Sequence, residues 1–269
     1  MEIKGRLALV TGGAGGIGRA AAAELLRRGA RVALWDQDAA ALEKAKASLS
    51  PLGEVFVDAL DLRDRAAIAR AAAKLRAAAG EVDLLDNNAG VVFGGDFLAV
   101  SEEKLAATVD VNLNAVMWCT REFLPSMIRR GQGHLVFMSS ASGLLGVPGL
   151  AAYAASKHAV IGLAESLRLE LKKAGCRGVG MTIACPSFVN TGMFEGVEPP
   201  ALAPWLTPER VARLVVDAVE RDRLYVRAPW LVKLVPLVKG LAGTRALDAL
   251  GALLGMDRAM DGFTGRRSS

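Results

Sequence analysis

The chain has 269 residues, enough for one large α/β domain or at most two small ones. At 52% hydrophobic and 23% charged residues it is not an intrinsically disordered chain, and aromatics at only 5% predict an aliphatic core. The net charge of +5 is scattered, with no Lys/Arg run longer than two, which argues against a nucleic-acid surface.

Three cysteines without paired spacing and two histidines leave little material for a disulfide scaffold, a zinc site or a Ser-His-Asp triad. The first residues lead straight into a strand, which does not read as a signal peptide. The longest charge-free stretch, residues 131–156, is broken by Ser, Gly and Pro and does not read as a membrane helix. A soluble, cytoplasmic protein is expected.

Taken in order, the pattern alternates short β-rich runs with helical ones. A strand over 7–11 meets a glycine-rich turn, and a helix over 17–28 stops at Gly29. A strand over 31–36, a helix over 39–49 and a short strand over 55–57 follow. An alanine-rich helix over 64–79 ends at Gly80, and a strand runs over 82–88. Residues 101–130 read as one long helix or two, with Ser101 as N-cap of a capping box. A strand over 135–139, a helix over 152–174 and a strand over 179–184 that stops at Pro186 come next. A helix over 208–221 is capped by Thr207 with proline at its first position, and a last strand covers 224–226.

Strands joined by helical crossovers pair in parallel with right-handed connections. The fold class is therefore α/β: a doubly wound, Rossmann-type, mostly parallel seven-stranded sheet over residues 1–227. Residues 228–269 form a helical extension and tail of the same domain. In the extension Leu231, Leu234, Val235 and Val238 make one apolar stripe and Leu247, Leu250 and Leu254 another. Three roles stay open for it: packing over the cleft, a subunit contact, or a weak contact with a membrane surface. The end, with Arg266 and Arg267, reads as a mobile tail.

Ligands of such sheets bind at the carboxyl ends of the strands, so chemistry is expected in the loops that follow them. The turn Thr11-Gly12-Gly13-Ala14-Gly15-Gly16-Ile17-Gly18 joins the first strand to the first helix. Glycines there let the backbone approach a pyrophosphate, which the helix N-terminus attracts. Gly12, Gly15, Gly16, Ile17 and Gly18 are the candidate contacts. Asp36 ends the second strand at the spacing of a carboxylate that grips a ribose 2′-hydroxyl. It would repel a 2′-phosphate, and its neighbours Trp35 and Gln37 bring no positive charge, with Arg19 the nearest cation. NAD is expected rather than NADP.

Tyr153 and Lys157 stand four apart in a predicted helix and share a face, and Ser140 follows a strand. A phenol of pKa about 10 is a poor acid/base at neutral pH. A neighbouring ammonium and a positive nicotinamide favour its phenolate. With Ser140 on the substrate oxygen, the set suits hydride transfer at an alcohol or ketone.

These pieces, together with Asp61-Leu62, Asn87-Asn88-Ala89-Gly90, Asn112 and the run from Pro186 to Thr191, resemble the short-chain dehydrogenase/reductase family in order and spacing over residues 4–226. The resemblance implies Tyr153 as general acid/base and Lys157 as the group that lowers its pKa and holds the nicotinamide ribose. It implies Ser140 as the group that orients the substrate, and Asn112 as a support for Lys157 through water. Asp61 and Leu62 would meet the adenine, and Asn88, Ala89 and Gly90 the ribose side. Pro186, Val189 and Thr191 would meet the nicotinamide end. The family also implies a homodimer or homotetramer.

The chain departs from the family pattern twice: Pro186-Ser187 stands for Pro-Gly, and Asp86 stands where an apolar strand residue is expected. A buried carboxylate is costly unless bonded or protonated, so Asp86 either stays at a solvated strand end or perturbs the site.

For the substrate, Phe93, Ser142, Leu144, Leu145, Phe188, Met193, Leu202 and Trp205 are candidate lining residues. They are mostly apolar, with no arginine to clamp a carboxylate, which favours a hydrophobic alcohol or ketone. The run from Cys185 to Gly192 and the tail from Leu224 resemble the branch that includes 17β-hydroxysteroid and retinol dehydrogenases. An NADPH-linked carbonyl or 3-oxoacyl reductase and a catalytically quiet dinucleotide-binding regulatory protein are the alternatives.

Overall fold

The computed structural model describes residues 1–200 and 203–265. Leu202, Arg266 and Arg267 lie outside the described residues, as does the side chain of Leu247. Seven strands form one sheet: β1 (Leu7–Thr11), β2 (Arg31–Asp36), β3 (Val55–Ala59), β4 (Leu84–Asn87), β5 (Gly133–Met138), β6 (Val179–Pro186) and β7 (Tyr225–Ala228). Their order is β3-β2-β1-β4-β5-β6-β7 and every pair is parallel. The order reverses between β1 and β4, so their carboxyl ends flank the crevice of a doubly wound sheet.

The connecting helices are α1 (Gly16–Arg27), α2 (Ala39–Leu49), α3 (Arg65–Ala79), α4 (Glu102–Val109), α5 (Ala115–Arg130), α6 (Ala151–Lys173) and α7 (Pro208–Glu220). They cover both faces. Leu7 and Leu9 of β1 point to the face of α3, α5 and α6, where Ile68, Phe123 and Val160 are buried. Ala8 and Val10 point to the face of α1, α2 and α7, with Leu25, Leu42 and Val215. Two-residue alternation thus splits one continuous apolar strand between two cores, which is why the central strands read as unbroken hydrophobic runs.

Local signals set the helix starts. Asp38 and Asp64 cap α2 and α3 through their carboxylates, and Thr207 caps α7 by accepting the Arg210 N–H at 3.2 Å. Ser101 precedes α4 but makes no side-chain cap bond, and the position three beyond it is Lys104, so no capping box closes. The stretch expected as one or two helices is two, joined by a π-helical turn over Asp110–Asn114. The extra residue in that turn points Asn112 into the core.

Beyond β7 a 3-10 turn (Trp230–Lys233) leads to α8 (Val235–Leu241) and α9 (Thr244–Leu253), which pack on each other as a hairpin. No described helix is long and apolar enough to cross a membrane. The expected stripe of Leu231, Leu234, Val235 and Val238 divides: Leu231 and Val235 face inward onto a cavity, while Leu234 faces outward. The chain then returns to the loop after β6. Thr264 N–H donates to Glu195 O at 2.9 Å, and Met260 and Phe263 join the apolar cluster around Tyr153.

Candidate active site

Thr11 ties the switch point together. Its hydroxyl donates to Asp86 O at 3.1 Å and accepts the N–H groups of Asn88 and Ala89 at 3.0 and 3.1 Å. Asn88 Nδ2 donates back to Thr11 O at 2.8 Å. Gly12 lies at φ +64°, and a Cβ there would stand 2.9 Å from Ala89 Cα. A Cβ on Gly18 would stand 2.3 Å from Gly12 O. Only glycine lets the turn, α1 and the loop after β4 come this close. Gly15 precedes α1 without a side-chain cap, so the first N–H groups of the helix have no side-chain acceptor.

A cleft of about 180 Å³ runs along these ends. Every residue named from sequence for the dinucleotide lines it: Gly12, Gly15, Gly16, Ile17 and Gly18; Asp36, Asp61 and Leu62; Asn88, Ala89 and Gly90; Pro186, Val189 and Thr191. At the β2 end Asp36 accepts the Ala14 N–H at 3.1 Å and the Asp38 N–H at 3.3 Å. These bonds fix the carboxylate against the glycine turn. Asp61 is held by Arg63, whose guanidinium keeps its carboxyl below the usual range. Uncapped helix N–H groups, a glycine-lined floor and a fixed carboxylate make a donor set that fits a nicotinamide dinucleotide.

Ser140, Tyr153 and Lys157 line the other end of the same cleft. Ser140 caps a one-turn 3-10 helix (Ala141–Gly143): its Oγ accepts the Ser142 N–H at 3.1 Å and donates weakly to Pro186 O at 3.5 Å. Lys157 is buried, and its ammonium donates to Met138 O at 2.8 Å. Burial pushes the Tyr153 phenol up to about 12, with the Ser140 hydroxyl beside it pulling the other way. Burial brings Lys157 down to about 8. Each charged form loses solvation inside the cleft.

Asn112 stands behind the cleft. Its Oδ1 accepts the Val91 N–H at 2.8 Å, and its Nδ2 donates to Val91 O at 3.0 Å and Ser156 Oγ at 3.1 Å. Ser156 in turn donates to Tyr153 O at 2.7 Å. Asn112 therefore pins the loop after β4 to the turn of α6 that carries Tyr153. It faces Lys157 across Gly90, where a Cβ would lie 3.3 Å from Asn112 Oδ1 and 3.4 Å from Lys157 Nζ.

A second cavity of about 90 Å³ opens beside Ser140, and its lining is almost wholly apolar. Ser140, Ser187 and Phe194 belong to both cavities. The loop after β6 closes over them through an aromatic chain: Tyr153 to Phe194 at 5.9 Å, Phe194 to Phe188 at 5.3 Å and Phe188 to Trp205 at 6.0 Å between centroids. Leu231, Val235, Leu254, Met256 and Ala259 supply the far wall.

Residues 6–201 match the family model described as short chain dehydrogenase. The chain belongs to the short-chain dehydrogenase/reductase family. It is 36% identical over 270 residues to epidermal retinol dehydrogenase 2 of Mus musculus, covering 99% of this chain and 87% of that protein. It is 34% identical over 250 residues to estradiol 17-beta-dehydrogenase 11 of Rattus norvegicus, covering 93% and 84%. A short-chain dehydrogenase/reductase from Burkholderia phymatum, solved in complex with NAD, superposes with a TM-score of 0.81 at 31% identity, covering 89% of this chain and 95% of that one. The retinol and estradiol relatives place the chain in the branch that its sequence resembles.

Against this short-chain dehydrogenase frame, the substrate candidates divide. Ser142, Leu145 and Phe188 line the apolar chamber, and Met193 lines the cleft. Phe93 and Leu144 line neither, which corrects the expectation for both. The Phe93 ring lies under the Lys104 ammonium at 5.9 Å, and Leu144 packs toward the sheet core. Trp205 is partly exposed and reaches the chamber only through Phe188. The C-terminal wall was not among the expected lining residues. Its sequence signals were Leu231 and Val235 of one stripe and Leu254 of the other, for which packing over the cleft was one of the three open roles.

Asp86 does not sit at a solvated strand end. It is buried between Val10 and Val136, its Oδ1 has no hydrogen-bond partner among the described residues, and burial raises its carboxyl to about 7. Ser187 keeps the turn after Pro186, with its N–H donating to Ala228 O at 2.8 Å. Its buried hydroxyl has no partner among the described residues where the two cavities meet.

Proposed function

We propose that the protein is an NAD-dependent dehydrogenase that interconverts a lipophilic alcohol and its ketone or aldehyde. The observation that carries this reading is the position of Ser140. It stands where the glycine-floored cleft, with Tyr153 and Lys157, meets an apolar chamber.

When bound, nicotinamide supplies the hydride acceptor or donor. Ser140 Oγ, oriented by the Ser142 N–H, holds the substrate oxygen. Tyr153 gives that oxygen a proton in reduction and takes it in oxidation. A phenol at about 12 is a competent donor at neutral pH but a poor acceptor, so oxidation needs positive charge nearby. Lys157, fixed on Met138 O, provides it and offers its remaining N–H groups to the ribose side. Asn112 and Ser156 hold the α6 turn in place. The apolar chamber excludes water and takes the hydrocarbon part of the substrate.

Asp36 supports NAD over NADP: its carboxylate is fixed beside the turn, where a 2′-phosphate would meet it. One observation favours the NADPH-linked reading. Arg19 lines the outer groove that Asp36 and Asp38 share. Arg27, paired with Glu24 at 3.5 Å, and Glu209 line the same groove, so three carboxylates face two cations there, and we keep NAD.

The test is NADH formation from NAD across steroid, retinoid, long-chain and small secondary alcohols, with Tyr153→Phe as control and cofactor binding measured separately. Turnover lost in the variant supports the reading. A blank panel with NAD bound, in both directions, supports the quiet dinucleotide-binding protein instead. Turnover with NADP alone supports the reductase.

A further inference from the structure

The C-terminal hairpin is apolar on two sides. Its inner side, with Leu231 and Val235, walls the chamber. On its outer side Trp230 of the 3-10 turn, Leu234 at the junction and Leu237 and Leu241 of α8 form a run of exposed apolar side chains. They are 61%, 40%, 59% and 81% exposed. Leu253 of α9 adds a side chain 81% exposed. Single exposed leucines are ordinary on a soluble surface, but such a run beside a second apolar helix is not.

Along the sequence, the charge that flanks this run is of one sign. From Arg223 to Arg245 there are five cations, Arg223, Arg227, Lys233, Lys239 and Arg245, and no carboxylate side chain stands between Asp222 and Asp248. Among the described residues Arg223, Lys233 and Arg245 form no ion pair. A second copy of the chain is a poor occupant: a two-fold contact sets a patch against itself, and here cations would face cations. An anionic lipid surface complements both features, taking the apolar run between its headgroups and pairing its phosphates with the flanking cations.

We propose that the outer face of this hairpin docks the protein on an anionic bilayer, with Trp230, Leu234, Leu237 and Leu241 inserted at headgroup level and Lys233 and Arg245 on the phosphates. The chamber wall then lies against the membrane, so a lipid-dissolved molecule reaches the cavity without crossing water.

The experiment is cosedimentation of the full chain with vesicles of neutral phosphatidylcholine and of phosphatidylcholine with one-quarter phosphatidylserine, at low and high salt. It needs no turnover, so its result is independent of the activity proposed above. Expected are binding to the anionic vesicles, weakening with salt, and an affinity at least tenfold lower in the L237E/L241E and K233E/R245E variants. All four side chains are exposed, so both variants keep the wild-type melting temperature and NAD affinity. Equal pelleting with neutral and anionic vesicles, or unchanged pelleting of both variants, overturns the proposal. So does absence of vesicle binding alongside a smaller particle for L237E/L241E in sedimentation velocity, which would make the face a subunit contact.

Discussion

The Lys157 ammonium lies 5.7 Å from the ring centroid of Tyr153, yet its hydrogen bond goes to the Met138 carbonyl at 2.8 Å. In the mechanism proposed above Lys157 would act on the phenol through its field, from a position that a backbone acceptor fixes. The first prediction concerns this pair. The chain has two tyrosines, Tyr153 and Tyr225, and burial raises both. Without cofactor, no tyrosinate absorbance should develop below about pH 10. Saturating NAD should bring one phenol down toward neutrality, and Tyr153→Phe should remove that signal with about 10²–10⁴-fold of the turnover.

Asp36 is open to a two-step test, because its carboxylate both carries charge and accepts the Ala14 N–H. Asp36→Asn keeps an acceptor and loses the charge, and NADP affinity should rise while NAD weakens only a few-fold. Asp36→Ala loses both, and NAD affinity should fall by about tenfold or more, near the 1–2 kcal/mol of one good hydrogen bond. Titration of both cofactors against both variants reads this. An unchanged NAD/NADP ratio in both would show that another residue sets the preference.

Asp86 gives the clearest dependence of stability on pH. Its folded carboxyl is raised to about 7 from an ordinary 3.8, so the native state holds the extra proton between these values. Stability contributed at this site is therefore greatest below about pH 4 and falls as pH rises toward 7. The loss is at most about 4 kcal/mol. Asp86→Val should raise the melting temperature at neutral pH and flatten that slope. Denaturant unfolding at pH 5 and pH 7.5 checks it. A variant less stable than wild type at both would mean that the carboxyl has a partner worth more than its burial penalty.

Gly196 tests the C-terminal closure. It lies at φ +82°, and a Cβ there would stand 1.9 Å from Gly262 O. Gly196→Ala should push the 259–264 segment off the loop after β6, at a cost of about 1–3 kcal/mol. KM for lipophilic substrates should rise several-fold while NAD affinity holds. Equal losses of both would mean that the two cavities are not separable.

Much of this was legible because the relevant signals are local. The glycine turn, Asp36 at the end of β2, and Tyr153 with Lys157 one helical turn apart are fixed by strand alternation and helix period alone. The chamber was less legible. Its far wall comes from Leu231, Leu254 and Met256, and no periodicity links those positions to Ser140. Phe93 was expected there on apolarity, but a loop aromatic takes whichever neighbour the fold supplies, here Lys104. The π-helical turn at Asn112 left no mark either, since one added residue in a helix keeps the composition and shifts only the phase.

Every strand of the sheet precedes in the chain the residues that supply the chamber's far wall, and Met260 and Phe263 come later still. As the polypeptide leaves the ribosome, the dinucleotide cleft can therefore assemble while the lipophilic compartment does not yet exist. On the function proposed above, a growing chain would complete its coenzyme site first and gain room for a hydrocarbon guest only once the hairpin has emerged. Premature termination ahead of the hairpin would then yield a protein that retains coenzyme and discriminates poorly among carbonyl compounds.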